Sequence, residues 1–361
     1  MKVLYVTTIG TTMGFFRSFV RLLLNQGHQV DIATNEKDGP VPECYREWGC
    51  RIYLLSCSRT PFNRGNIKAI KEIKQIVSEN MYDIVHCHTP IAAACTRMAC
   101  KSLREKGVRV FYTAHGFHFY KGAPIKNWLV YYPVEWLCSF WTDTLITINK
   151  EDYARAKRRF HAKSIEYVPG VGIDTEKFKP NLSSRKKIRE ELELDDKTII
   201  LLSVGELNKN KNHSSVIRAI KGIDNLVYVI VGKGDKQQEL EALAKECEVD
   251  LRLMGYRSDV ADLYNAADLY ILPSIREGLN VSLMEAMACG LPCLASNIRG
   301  NTDLIDDNSG FTFSPNNTDE IKEAIKNVNG LDMKKIGDNN REKIKAFSII
   351  EINNAMNCTY Q

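Results

Sequence analysis

Residues Arg276–Ser296 read REGLNVSLMEAMACGLPCLAS, and the rest of the chain can be laid out around them. Just upstream, Leu269–Leu272 is an apolar run ended by Pro273 and Ser274, the pattern of a buried strand. A charged loop with Glu277 and Gly278 follows. Asn280 is a helix-capping residue type, and Val281, Leu283, Met284, Met287 and Ala288 recur at helical spacing. Gly290 and Pro292 stop that helix, after which CLAS reads as another short strand. The stretch therefore predicts a strand, a loop and a helix N-terminus, with Glu277 in the loop and Glu285 inside the helix. Unpaired N–H groups at a helix start attract anions such as phosphate. A buried carboxylate beside them needs donors, which sugar hydroxyls supply.

Working outward, 361 residues suffice for two domains of ordinary size. Hydrophobic content of 44% and charged content of 26% are those of a soluble globular protein. Apolar runs are all too short for a transmembrane helix. MKVLYVTTIG reads as a first strand, without a signal peptide's layout, so a cytoplasmic chain is expected. Eleven cysteines in no paired framework suit a reducing compartment, and without zinc-type spacing no metal site is expected. Residues 1–164 hold 24 Lys plus Arg against 13 Asp plus Glu, or +11, which leaves −6 for the remainder. Either this is ordinary surface variation, or the basic half meets an anionic surface such as a membrane.

The first half alternates strands and helices. KVLYVTT, HQVDIATN, RIYLLSC, YDIVHCH, VRVFYTA and DTLITIN are strand-like, with helices over 14–26, 67–80 and 92–106. Such alternation implies a parallel sheet with helices on both faces, whose ligands bind beyond the strands' carboxyl ends. Three positions there are suggestive. Gly10–Gly14 (GTTMG) is a glycine loop for close backbone approach, or a plain tight turn. His86 and His88 share a strand face but lack a third metal ligand, which favours structural or substrate-lining roles. His115, before Gly116, is a sugar-contacting candidate, with a satisfied core histidine as the alternative. The aromatic segment 121–141, with Trp128, Trp136 and Trp141, reads mainly as core helix. The sharper alternative is a membrane-touching face with Lys121, Lys126 and the basic run 155–159.

Gly and Pro cluster at 168–180, and the alternation then restarts with TIILLSVG, LVYVIVG, LRLMG, DLYILPS and LPCLAS. Strand-end features follow in order: Gly205, Glu206, Lys209 and Lys211 in VGELNKNKN, then Gly232 in VGKGDK, then Tyr256 and Arg257 after Gly255. A lysine there is placed to meet a diphosphate as a mobile point charge. After Asn329 the chain turns polar and helical.

These features resemble the large retaining glycosyltransferase family numbered four, most specifically in the E-x7-E pair Glu277 and Glu285 and the following AMACGLP. The resemblance implies the GT-B fold, two α/β Rossmann-like domains with parallel sheets facing across a cleft. Residues 1–168 would form the N-terminal acceptor-binding domain and 169–345 the nucleotide-sugar domain. A tail, 346–361, remains, for which packing back on the first domain is one arrangement. Position by position, the resemblance implies that Glu277 contacts the donor sugar's hydroxyls and Glu285 the ribose. The N–H groups of Leu279 and Asn280 would hold the diphosphate, with Gly278 beside them at the donor site, and Lys211 would stabilise it as it leaves. His115 would touch the donor sugar, Tyr256 and Arg257 the base, and the loop ending at Gly14 the donor phosphate. Gly205 and Gly232 would line the donor's turn. Glu206 stands where the family often has arginine, which shifts phosphate charge to Lys211 and Lys209.

AHGFHFY, VGELNKNKN and IRGNTDLI look like bacterial exopolysaccharide and capsule enzymes. That likeness implies a UDP-sugar donor, with a hexose or N-acetylhexosamine as the sugar. It also implies a polyprenyl-diphosphate-linked saccharide acceptor and peripheral attachment to the inner face of the cell membrane. No nucleic acid partner or cofactor is implied. With no D-x-D motif, retention without metal is expected, and neither carboxylate is expected to titrate. An epimerase or hydrolase, or a non-catalytic nucleotide-sugar binder, are the alternatives; a dehydrogenase is disfavoured for want of G-x-G-x-x-G.

Overall fold

In the computed structural model, which describes residues 1–328 and 332–361, the alternation resolves into two all-parallel sheets. The first holds β1 (Lys2–Val6), β2 (Gln29–Thr34), β3 (Ile52–Leu54), β4 (Ile84–His88), β5 (Arg109–Ala114), β6 (Thr144–Thr147) and β7 (Ser164–Tyr167). Their order is β3-β2-β1-β4-β5-β6-β7. The second holds β8 (Ile199–Val204), β9 (Leu226–Val231), β10 (Asp250–Leu253), β11 (Leu269–Leu272), β12 (Cys293–Ser296) and β13 (Gly310–Phe313), in the order β10-β9-β8-β11-β12-β13.

Central strands are buried along almost their whole length because helices cover both faces. Strand alternation then feeds two cores: Leu4 and Val6 join one apolar cluster, Val3 and Tyr5 the other. The edge strands β7 and β13, which the sequence reading passes over, are four residues long and only partly buried, so they lack a continuous apolar run.

Helix starts also differ from expectation. The 14–26 helix begins as a 3-10 turn over Gly10–Phe16 and becomes α-helical at Arg17–Asn25. The 92–106 helix starts earlier, with Pro90 at its first position, and ends at Cys100. The polar tail forms helices Met333–Ile344 and Ile349–Tyr360; its first residues, 330 and 331, lie outside the described residues.

Two compact units result, one of residues 1–171 with 352–361 and the other of residues 172–351. Tyr360, next to last in the chain, is fully buried in the first unit, edge-on to Phe19 and Phe111. In each sheet the strand order reverses once, between β1 and β4 and between β8 and β11. Such reversal points open a crevice beyond the strands' carboxyl ends, where α/β folds bind ligands.

Candidate functional site

At the second reversal point, asparagines stitch the turn after β8 to the loop after β11. The Asn210 carbonyl accepts from the Ile275 N–H at 2.8 Å, and its side-chain amide donates to the Arg276 carbonyl at 3.0 Å. Asn212 donates to the carbonyls of Pro273 and Pro315 at 3.2 and 2.7 Å. This stitching places Lys211 Nζ 2.8 Å from Glu277 Oε1, with side chains only 16% and 14% exposed. An ammonium has three donors, so one spent on Glu277 leaves two for a phosphate.

Glu206, exposed, does not reach this pair. It accepts from the Asn208 amide at 2.7 Å, and Asn208 Oδ1 accepts from the Lys211 N–H at 3.0 Å, so Glu206 shapes the lysine's turn. Lys209 is exposed. Gly232 packs so closely that a Cβ there would lie 1.9 Å from the Gly205 carbonyl oxygen, and its N–H donates to the Gly255 carbonyl at 2.8 Å. Beyond that glycine Tyr256 is 77% exposed, whereas Arg257 is held by Glu191 at 2.6 Å and Asp259 at 2.7 Å.

The helix Val281–Ala288 starts where the sequence places it, with Asn280 Oδ1 accepting from the Leu283 N–H at 3.0 Å. Among the described residues no hydrogen bond engages the N–H of Leu279 or Asn280, which leaves both available to an anion. The loop's underside comes from residues the sequence reading did not single out. Arg299 donates through Nε and Nη2 to the Glu277 carbonyl at 3.2 and 3.1 Å. Gly300, at φ +83°, sits where a Cβ would be 2.1 Å from the Gly278 carbonyl oxygen. The only sequence signal for both was the IRGN run.

Glu285 corrects an expectation. It lies in a desolvated setting with the Tyr264 hydroxyl 2.9 Å from Oε2, and burial pushes its pKa up to about 7. One hydroxyl does not offset the lost hydration, so this carboxyl titrates near neutrality.

In the first unit, His115 directly follows β5, with its Nε2 3.2 Å from Nδ1 of the buried His88. Phe16 stacks on His88 at 4.1 Å between ring centroids. His86 Nδ1 lies 2.5 Å from the Tyr360 hydroxyl and Nε2 2.8 Å from Thr113 Oγ1, while Tyr360 donates to Tyr5 at 3.1 Å. Burial lowers the pKa of His115 to about 4 and of His86 to about 3, and takes His88 far below its usual value. All three rings are therefore neutral at pH 7. A Cβ on Gly10 would meet the Val41 nitrogen at 2.5 Å, so the fold itself requires that glycine; a Cβ on Gly14 would meet nothing within 4 Å. Among the described residues no three His, Cys, Asp or Glu side chains group as a metal site.

A model of glycosyl transferases group 1 matches residues 184–343, and a glycosyl transferase 4-like model matches residues 2–149. EpsD of Bacillus subtilis strain 168, which carries a glycosyltransferase name, is 35% identical over 321 residues, covering 86% of this chain and 82% of its own. The chain belongs to this glycosyltransferase family. An Escherichia coli UDP-Gal:α-D-GlcNAc-diphosphoundecaprenol α-1,3-galactosyltransferase is 30% identical over 327 residues, covering 85% and 81%. The Anabaena HepE structure with UDP superposes with a TM-score of 0.81 at 18% identity, covering 100% of this chain and 99% of that one. A lipopolysaccharide glycosyltransferase, WaaG, gives 0.75 at 19%, covering 98% of each. These likenesses establish the GT-B fold for this glycosyltransferase, with one Rossmann-like unit built on each sheet.

Proposed function

We propose that this glycosyltransferase moves a hexose or N-acetylhexosamine from a UDP-sugar to a polyprenyl-diphosphate-linked saccharide, with retained anomeric configuration and without metal. The observation that carries the reading is Lys211 paired to Glu277 near a helix start preceded by the unengaged N–H groups of Leu279 and Asn280. In this reading the diphosphate lies on the Leu279 and Asn280 N–H groups and on the donors that Lys211 keeps. Glu277 accepts from the sugar's hydroxyls, and Glu285 in its ionised form accepts from the ribose. As the glycosidic C–O bond breaks, charge builds on the departing phosphate, where these donors already point. The acceptor hydroxyl attacks from the same face and its proton passes to that phosphate. No protein base is then needed.

The lipid-linked acceptor is supported by the activity for which the E. coli relative is named. Attachment to an anionic membrane at its cytoplasmic face is supported by the helix Ile125–Ser139. Among the described residues no helix is long and apolar enough to cross a membrane. That helix exposes Ile125, Trp136 and Leu137, and Phe140 just beyond it, with Lys121 and Lys126 exposed close by.

The test screens UDP-sugars against a lipid-diphosphate saccharide, with and without strong chelator. Chelator-resistant transfer with an α-linked product from an α-linked donor is expected. Complete loss on chelation would overturn metal independence, and inversion would overturn the mechanism. UDP release without any glycosylated product would mark a hydrolase or epimerase.

A further inference from the structure

We propose that the first unit holds the hydrocarbon chain of its acceptor in a dedicated groove. It is walled by the N-terminal half of helix Arg64–Asn80, by one side of helix Pro90–Cys100 from Pro90 to Met98, and by the middle of Ile125–Ser139. The inference rests on the lipid-linked acceptor reading and assigns the acceptor's apolar part a place.

The groove encloses about 610 Å³, within the usual range of small-ligand sites. Its walls include Phe62, Ile67, Ile70, Ile91, Met98 and Leu129. Three of these are strongly exposed: Phe62 at 86%, Leu129 at 72% and Ile67 at 63%. Single exposed apolar residues need no explanation, but several converging on one concavity mark a binding surface.

The wall's chemistry narrows the occupant. Its two buried polar side chains are already committed. Asn66 donates to the carbonyls of Thr60 and Pro61 at 2.9 and 3.1 Å and accepts from the Ser58 N–H at 2.9 Å. Glu135 is held by Arg97 Nη2 at 2.8 Å and by the Tyr112 hydroxyl at 3.1 Å. Neither is left to read a sugar, a base or a peptide backbone. Burial of hydrocarbon is what the wall offers.

Position narrows it further. Pro90 of the groove is two residues beyond His88, which bonds His115. The Pro90 end of the groove therefore lies near the carboxyl end of β4, at the first reversal point. A chain lying in it presents its diphosphate head at those strand ends. Arg64, exposed and next to the wall residue Asn63, supplies a complementary charge. A long isoprenoid carrying a diphosphate matches apolar wall, location and charge together.

The test compares two acceptors with the same saccharide-diphosphate head, one on a long isoprenoid and one on a methyl group. Wild type should favour the isoprenoid in kcat/KM by at least about tenfold, the worth of roughly two buried methylenes. Ile67→Asp and Leu129→Asp, at exposed positions the fold does not depend on, should bring that ratio to near one. A wild-type ratio near one, or a ratio unchanged in both variants, would overturn the groove. If neither acceptor is glycosylated with any donor, the acceptor reading itself fails, and a photoreactive isoprenyl diphosphate decides the groove separately. Adducts on peptides 61–70, 91–98 or 129–135 support it. Adducts confined elsewhere overturn it, as does equal competition by phospholipid vesicles, which would mean that any acyl chain fits.

Discussion

Replacing Glu285 by Gln should make this protein more stable at alkaline pH and leave it nearly unchanged in mild acid. The folded pKa of about 7 lies above the ordinary value of 4.5. A carboxyl raised in this way contributes its full stability below about pH 4.5, where both states carry the proton. That contribution is lost as pH rises through about 7, because the fold must then bury a carboxylate. The two values differ by about 3 kcal/mol of free energy. Gln keeps the shape and an acceptor for Tyr264 but has no charge to desolvate. Urea unfolding of wild type and Glu285→Gln in parallel, from about pH 4.5 to about pH 8.5, reads the difference, since titrations common to both cancel. The variant should gain up to about 3 kcal/mol on wild type across that window, most steeply between about pH 5 and pH 7. A difference that stays flat with pH would refute the desolvation argument. Sugar-nucleotide binding should oppose this trend, because ribose hydroxyls donate to the ionised form, so wild-type donor affinity should rise across pH 7 and that of Glu285→Gln should not.

Other expectations follow from the same geometry. Lys211→Ala leaves the mostly buried Glu277 unpaired, and should cost about 1–3 kcal/mol of stability in the second unit and lower turnover at least about hundredfold, more in kcat than in donor affinity. Glu277→Gln should keep the fold by melting temperature and abolish most turnover; wild-type rates would remove Glu277 from the mechanism. His88→Ala frees the His115 ring and should lower kcat about tenfold to hundredfold with little change in donor KM, and His88→Asn should restore part of it. Equal rates in all three proteins would show that His115 needs no such support. Deleting Tyr360 and Gln361 removes a buried ring and strands His86 Nδ1, so thermal unfolding should report a loss of about 3–5 kcal/mol. Tyr360→Phe keeps the ring but strands the same His86 nitrogen, and should lose less, about 1–3 kcal/mol.

Much of the fold was legible because central parallel strands are continuous apolar runs, and the turns after them carry glycine or charge. β7 and β13 were not, being short edges with mixed burial. Within the site, Glu277, Glu285 and Asn280 were readable from local pattern alone, since cap, loop and helix are contiguous. The bond from Lys211 to Glu277 was not, because 66 residues separate the two and the asparagines that join their loops bond through backbone carbonyls. Arg299 escaped for a similar reason: it holds the main-chain oxygen of Glu277, and a bond to a backbone carbonyl carries no side-chain signature in the sequence. The ionisation of Glu285 depends on what surrounds it in space, and no spacing rule reports that.

The two units differ in how they manage charge. In the second, Lys211 and Glu277 neutralise one another at short range. On the proposed reading an incoming diphosphate would meet a cation already fixed in place, the ordering cost of a long side chain having been met on folding. In the first, three imidazoles are kept neutral by burial, so His115 is a donor or acceptor without charge. That division suits a reaction whose charge develops on the leaving phosphate. A neutral ring held by His88 can bond a hydroxyl without attracting an anion as a cationic ring would. If so, activity should not fall with a histidine pKa near 6.5 as pH drops. Any acid limb should follow Glu285 near pH 7 and vanish in Glu285→Gln; a limb that persists in that variant and disappears in His115→Asn would place the charge chemistry on the histidine instead.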